Sequence, residues 1–128
     1  MTEADIANAI GQQLAGGTAL PIVWDNKSAA PDMPYLICQV VPVSRRDPTL
    51  AGGATIRTGF AMITVVSQLD QFATDALGHA ETVAALFPKG LRLTAGDGKV
   101  LVTDPAAVIK GYPDETAWRQ PVRVPYEA

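Results

Sequence analysis

One cysteine, Cys38, and one histidine, His79, are present in 128 residues. A single thiol excludes an internal disulfide, and one cysteine plus one histidine on separate elements fall short of the three or four ligands zinc requires. No metal and no cofactor are expected. Runs approaching the roughly 20 apolar residues of a membrane-spanning helix are also missing. The N-terminus lacks the basic, then apolar, then small-residue order of a secretory signal. The expectation is a soluble chain of the cytoplasm with no membrane partner. Basic residues are few: 10 Lys and Arg against 13 Asp and Glu leave a net charge of -3, which does not favour a specific nucleic-acid partner. Internal repeats and low-complexity stretches are absent too. Hydrophobic residues make up 48% of the chain, enough for one core, so residues 1–128 are expected to form a single domain.

The stretch from Asp70 to Arg92 is the most ordered in pattern. Phe72, Ala73, Ala76, Leu77, Ala80, Val83, Ala84 and Phe87 recur at three- and four-residue steps, and at about 100° per residue they share one face. Thr74, Asp75, Gly78, Glu81 and Thr82 lie opposite. Asp70 is a suitable N-cap, Pro88 ends the periodicity, and Gly90 permits the turn back into a strand. A shorter helix is predicted from Thr2 to Ala15, with Ile6, Ile10 and Leu14 on one face, Thr2 and Asp5 in capping-box spacing, and Gly16-Gly17 as its stop.

Between the helices, Thr18 to Pro34 carries turn residues and reads as a surface loop, anchored by Ile22-Val23-Trp24 with Trp24 plugging the edge of the core. Tyr35 to Val43 reads as a central strand with Leu36, Cys38 and Val40 on one face. A polar loop from Ser44 to Gly53 leads into a second long strand ending near Gln68, in which Phe60, Met62, Thr64 and Val66 alternate with Ala61, Ile63, Val65 and Ser67. After the second helix, Leu91 to Thr94 and Lys99 to Val102 flank Ala95-Gly96-Asp97-Gly98, a hairpin signal. Ala106 to Gly111 adds a short strand. The chain closes on Trp118 to Tyr126, where Pro121 and Pro125 share a parity and point to an edge strand whose open side lacks two donors. The predicted fold is α+β in the order α-β-β-α-β-β(-β), a mainly antiparallel sheet with two helices packed on one face.

Catalysis would have to start from Cys38 and His79, yet Cys38 sits mid-strand among apolar neighbours and His79 at the border of an apolar arc, so both read as structural. Asp25, Asp32, Asp47, Asp97, Asp104 and Asp114 fall in loops near Pro, Gly or Asn, where turn formation accounts for them. Ala95-Gly96-Asp97-Gly98 opens no helix, which removes the phosphate-loop reading. The strand aromatics Tyr35, Phe60, Trp118 and Tyr126 are better used as core than as a base-stacking platform. The basic concentration lies at Arg45, Arg46 and Arg57, with Asp47 beside them, on a charged, glycine-flanked arm from Ser44 to Arg57. These four are the candidate interface residues, since arginine's planar fork pairs well with carboxylates across interfaces.

In order along the chain, the N-terminal helix, Pro21-Ile22-Val23-Trp24-Asp25-Asn26, Pro34-Tyr35-Leu36, the Gly59 strand, Ala84-Ala85-Leu86-Phe87-Pro88-Lys89-Gly90 and Pro121-Val122-Arg123-Val124-Pro125-Tyr126 resemble the tail terminator-like, or minor tail, proteins of long-tailed bacteriophages and prophages. The resemblance implies a structural, non-enzymatic protein of the virion tail, present in the host cytoplasm during assembly. It implies a ring, usually of six copies, at the head-proximal end of the tail tube, where it ends tube growth and meets a head-completion or connector protein. The partners implied are the chain itself, the tail tube protein and that head-completion protein. A head–tail connector or completion protein is the alternative within the same class. A small oligomeric α+β binding domain and an enzyme built on Cys38 are the alternatives outside it.

Overall fold

The computed structural model describes residues 2–18, 20–24, 34–47, 49–50, 52, 55–68, 73–114 and 117–128. Among them are two helices, α1 (Glu3–Gly17) and α2 (Ala73–Ala85), and eight strands. The strands are β1 (Ile22–Trp24), β2 (Tyr35–Arg46), β3 (Ile56–Gln68), β4 (Arg92–Ala95), β5 (Gly98–Val102), β6 (Ala107–Val108), β7 (Tyr112–Asp114) and β8 (Ala117–Glu127). They form one sheet in the order β1-β2-β3-β8-β5-β4, with β6 and β7 also paired to β8; only β1 against β2 is parallel. The α+β class is as expected.

Helix α1 starts on the predicted capping box. Thr2 Oγ1 accepts from the Asp5 amide, and Asp5 Oδ2 accepts from the Thr2 amide at 2.9 Å. It runs two residues past the expected stop, through Gly16 and Gly17, because tertiary contacts hold its last turn: Gln13 Nε2 donates to the Leu86 carbonyl at 2.7 Å, and a Cβ at Gly17 would stand 2.8 Å from Leu86 Cδ1. Asp70 and Phe72, the expected cap and first apolar residue of α2, lie outside the described residues. α2 ends at Ala85, before Pro88, in a tightened turn where Leu86 and Phe87 donate to Val83 and Ala84. Gly90 takes φ +88°, as the turn requires.

The ladder sets Leu36, Cys38 and Val40 opposite Val65, Ile63 and Ala61, and the last two opposite Val122 and Val124, so these residues share one face. That face, Ile6, Ile10 and Leu14 of α1, and Ala80, Val83 and Phe87 from the α2 region form one apolar cluster. Cys38 is buried within it, as the strand pattern implied. On the other face Arg123 lies over the Phe60 ring at 4.5 Å, a cation–π contact.

Three expectations are corrected. Ile22–Trp24 is a strand, invisible to periodicity because three residues carry none, and Trp24 does not plug the core. Its ring lies on α1, where a Cβ at Gly11 would stand 2.6 Å from it, and the residue stays 38% exposed. Leu77, placed on the buried arc of α2, is exposed, since it stands about 100° from Ala76 at the border of that arc. Finally, β8 is internal, paired with β3 on one side and with β5, β6 and β7 in succession on the other. The parity argument was sound and its conclusion was not. The carbonyls of Pro121 and Pro125 accept from Ile109 and Thr103, so both prolines turn their donor-less nitrogens away from β3. β5 ends at the residue before Thr103 and β6 at the residue before Ile109. The second flank is therefore broken into short strands at the two places where a proline faces it, and no open edge is needed.

Candidate functional site: the hairpin arm

The polar stretch read as a loop begins as strand, from Ser44 to Arg46. β2 continues to Arg46 and β3 begins at Ile56, so the second half of β2, exposed from Val41 onward, and the start of β3 form an arm at this end of the sheet, with the Arg46–Ile56 pair beyond the last contact of β3 with the β8 side. The register shifts between Pro42 and Ser44, leaving Val43 as the extra residue of a bulge and 64% exposed. At the root, the backbones of Arg57 and Ala128 exchange two hydrogen bonds of 2.8 Å, the last support that β3 receives from the β8 side. Beyond that point each arm strand has the other as its ladder partner.

Arg45 and Arg57 are directly opposed in the ladder, an unfavourable arrangement for two cations unless an anion joins them. Glu3, in the first turn of α1, supplies it. Its Oε1 lies 3.3 Å from Arg45 Nη2 and 3.5 Å from Arg57 Nε. A carboxylate at a helix N-terminus is also favoured by the helix dipole. Nearby, the Tyr126 hydroxyl is buried with no hydrogen-bond partner among the described residues, and burial first, then the Glu3 charge, push its pKa above the ordinary tyrosine value. Gly59 makes this corner possible, since a Cβ there would run into the Val41 carbonyl and stand 2.7 Å from the tyrosine oxygen.

Of the four candidate residues, Arg45 and Arg57 thus turn toward Glu3 of their own chain. Asp47 Oδ1 accepts from the Thr49 amide at 2.8 Å and its hydroxyl at 2.6 Å, shaping the turn. Arg46 falls opposite Ile56 on the other face of the arm, exposed, and pairs with no described residue. Glu3 was missed in the sequence because its partner lies 42 residues away. A carboxylate in the first helical turn signals only helix capping. Among the described residues no three His, Cys, Asp or Glu side chains gather as a metal site, and no helix is long and apolar enough to cross a membrane.

Comparison with solved structures recovers the whole architecture. One solved protein of unstated function superposes with a TM-score of 0.81 at 24% identity, over 99% of this chain and 95% of its own. A chain from the virion of a native gene transfer agent particle superposes with a TM-score of 0.63 at 19% identity, over 96% and 95%. No curated protein matches the chain. The family model described as phage tail terminator protein matches residues 5–126, nearly all of the sequence. The chain belongs to the phage tail terminator protein family.

Proposed function

We propose that this chain forms a ring on the head-proximal end of a phage tail tube, where it stops tube polymerisation and offers the surface to which the head-completion protein joins. Family membership gives the coarser statement, a tail-associated structural protein. The observation that carries the finer one is the arm. Closing a ring from identical copies requires one patch to meet a different patch on the next copy, and the exposed second half of β2, ending in Arg46 at one end of the sheet, suits one half of such a contact. Arg46 leads that surface, with Arg45, Asp47 and Arg57 shaping its base. The chain acts by assembly and not by catalysis, in the virion tail and, before that, in the host cytoplasm.

Native mass spectrometry over a wide concentration range, with electron microscopy of the chain alone and mixed with its tail tube protein, tests this. Closed rings of about six copies, free or on tube ends, are expected. A monomer that leaves tube ends bare under all these conditions overturns the reading.

A further inference from the structure

The outward side of α2 is opposite to the arm in charge. Ala76, Ala80 and Val83 face the interior, so Asp75, Gly78, Glu81, Thr82 and Ala85 form the exposed ridge, with Leu77 at its margin and Thr82 Oγ1 donating to the Gly78 carbonyl at 3.0 Å. Gly78 is a notch: a Cβ there would meet nothing within 4 Å. At about 100° and 1.5 Å per residue, Asp75 and Glu81 stand roughly 60° to either side of Gly78 and one turn before and after it. Two carboxylates thus frame a low point on the helix, beside a leucine that is 39% exposed. Neither carboxylate pairs with a described residue.

The arm carries the complement. Arg46 is a cation without a described partner, and Val43 and Leu50 are exposed apolar side chains on the same projection. Within one chain the two surfaces do not meet: neither Arg46 nor Asp75 nor Glu81 pairs with a described residue, and the arm lies at the start of β3 whereas the chain enters α2 after its end. Two different, complementary patches left unpaired on one molecule suit a head-to-tail contact between copies.

We propose that in the assembled ring the arm of one copy docks on α2 of the next, with Arg46 over the Gly78 notch between Asp75 and Glu81, and Val43 and Leu50 against Leu77. This contact rests on the ring reading above and names its two surfaces. Arginine suits the notch because its fork can serve two carboxylates at once.

A charge swap separates failure of the contact from failure of the ring. Wild type, Arg46→Glu, Glu81→Lys and the double variant are compared for ring formation, alone and on tail tubes, with thermal melts to show that each folds. Each single reversal is expected to raise the concentration for half-assembly at least about tenfold, and the double variant to recover most of it. If the singles assemble as wild type does, or the double is no better than either, the docking is wrong and the ring stands. If wild type forms no ring even on tubes, the ring reading falls and the contact with it.

Discussion

The side-chain amide of Gln120 donates to the backbone carbonyl of Ile109, an acceptor that the neighbouring proline cannot serve. The Ile109 amide donates to the Pro121 carbonyl at 2.9 Å, and in a regular antiparallel pair residue 121 would return the bond from its own N–H. Gln120, only 2% exposed, supplies the missing donor from its side chain. Gln120→Leu should cost roughly 1–3 kcal/mol in a urea melt, because it strands a buried carbonyl. Adding Pro121→Val restores a backbone donor and should recover most of that loss, so a double variant as weak as the single would remove this account.

Gly111 is set by the same corner. A Cβ at that position would stand 2.6 and 2.7 Å from the Trp118 ring and collide with Gln120 Oε1. Gly111→Ala is expected to lower stability by about 1–3 kcal/mol through overpacking. Thermal denaturation alongside Gly16→Ala, where the space is open, gives the comparison, since that second change, within α1, should be neutral to stabilising by up to about 1 kcal/mol.

Tyr126 links stability to alkaline pH. Its folded-state pKa is raised from 10.0 by burial and by the Glu3 charge, so above pH 10 the unfolded chain gives up this proton first. The tyrosine therefore contributes nothing to the pH dependence below that point, and stability falls as pH climbs from 10 toward the raised value. Tyr126→Phe should flatten this part of the profile in chemical denaturation series and, because the hydroxyl has no described partner, should not weaken the fold near neutrality. An unchanged alkaline slope in the variant would contradict the assignment.

Glu3 neutralises a cross-strand pair of arginines, so Glu3→Gln leaves Arg45 and Arg57 facing each other unscreened. A loss of about 1 kcal/mol is expected, smaller in high salt where the repulsion is screened. Melts at low and high ionic strength test this, and equal losses in both would mean that packing, not charge, is what Glu3 provides.

Gly78 separates folding from assembly. Gly78→Ala removes a helix-weakening residue at an open position and should raise stability by up to about 1 kcal/mol. It also fills the notch, so the same variant should assemble less well. Greater stability with undiminished ring formation would place the arm elsewhere.

Sequence pattern revealed the long elements and left the short ones hidden. α1 with its capping box, the two long strands and the Gly96-Asp97 hairpin follow from periodicity and turn chemistry, which act over neighbouring residues. β1 and β7, three residues each, carry no periodicity; β1 pairs in parallel with residues 14 positions further on, and β7 with the first residues of the strand that follows it. The prolines of β8 were legible to the level of which side loses its donors, but not to what lies on that side. At the arm, Arg45, Arg46 and Arg57 stood out as a charge concentration, whereas the division between two inward-paired arginines and one outward cation depends on Glu3, brought there by the fold.

The broken flank of β8 makes the sheet mechanically unequal. On one side β2, β3 and β8 share long ladders, and on the other β5, β6 and β7 meet β8 as separate short pieces. The first side behaves as a plank and the second as a row of hinged slats. A pull between the arm and the start of α2 would run lengthwise through the plank, along β3, so neighbouring copies joined through those two elements would be coupled through its long ladders.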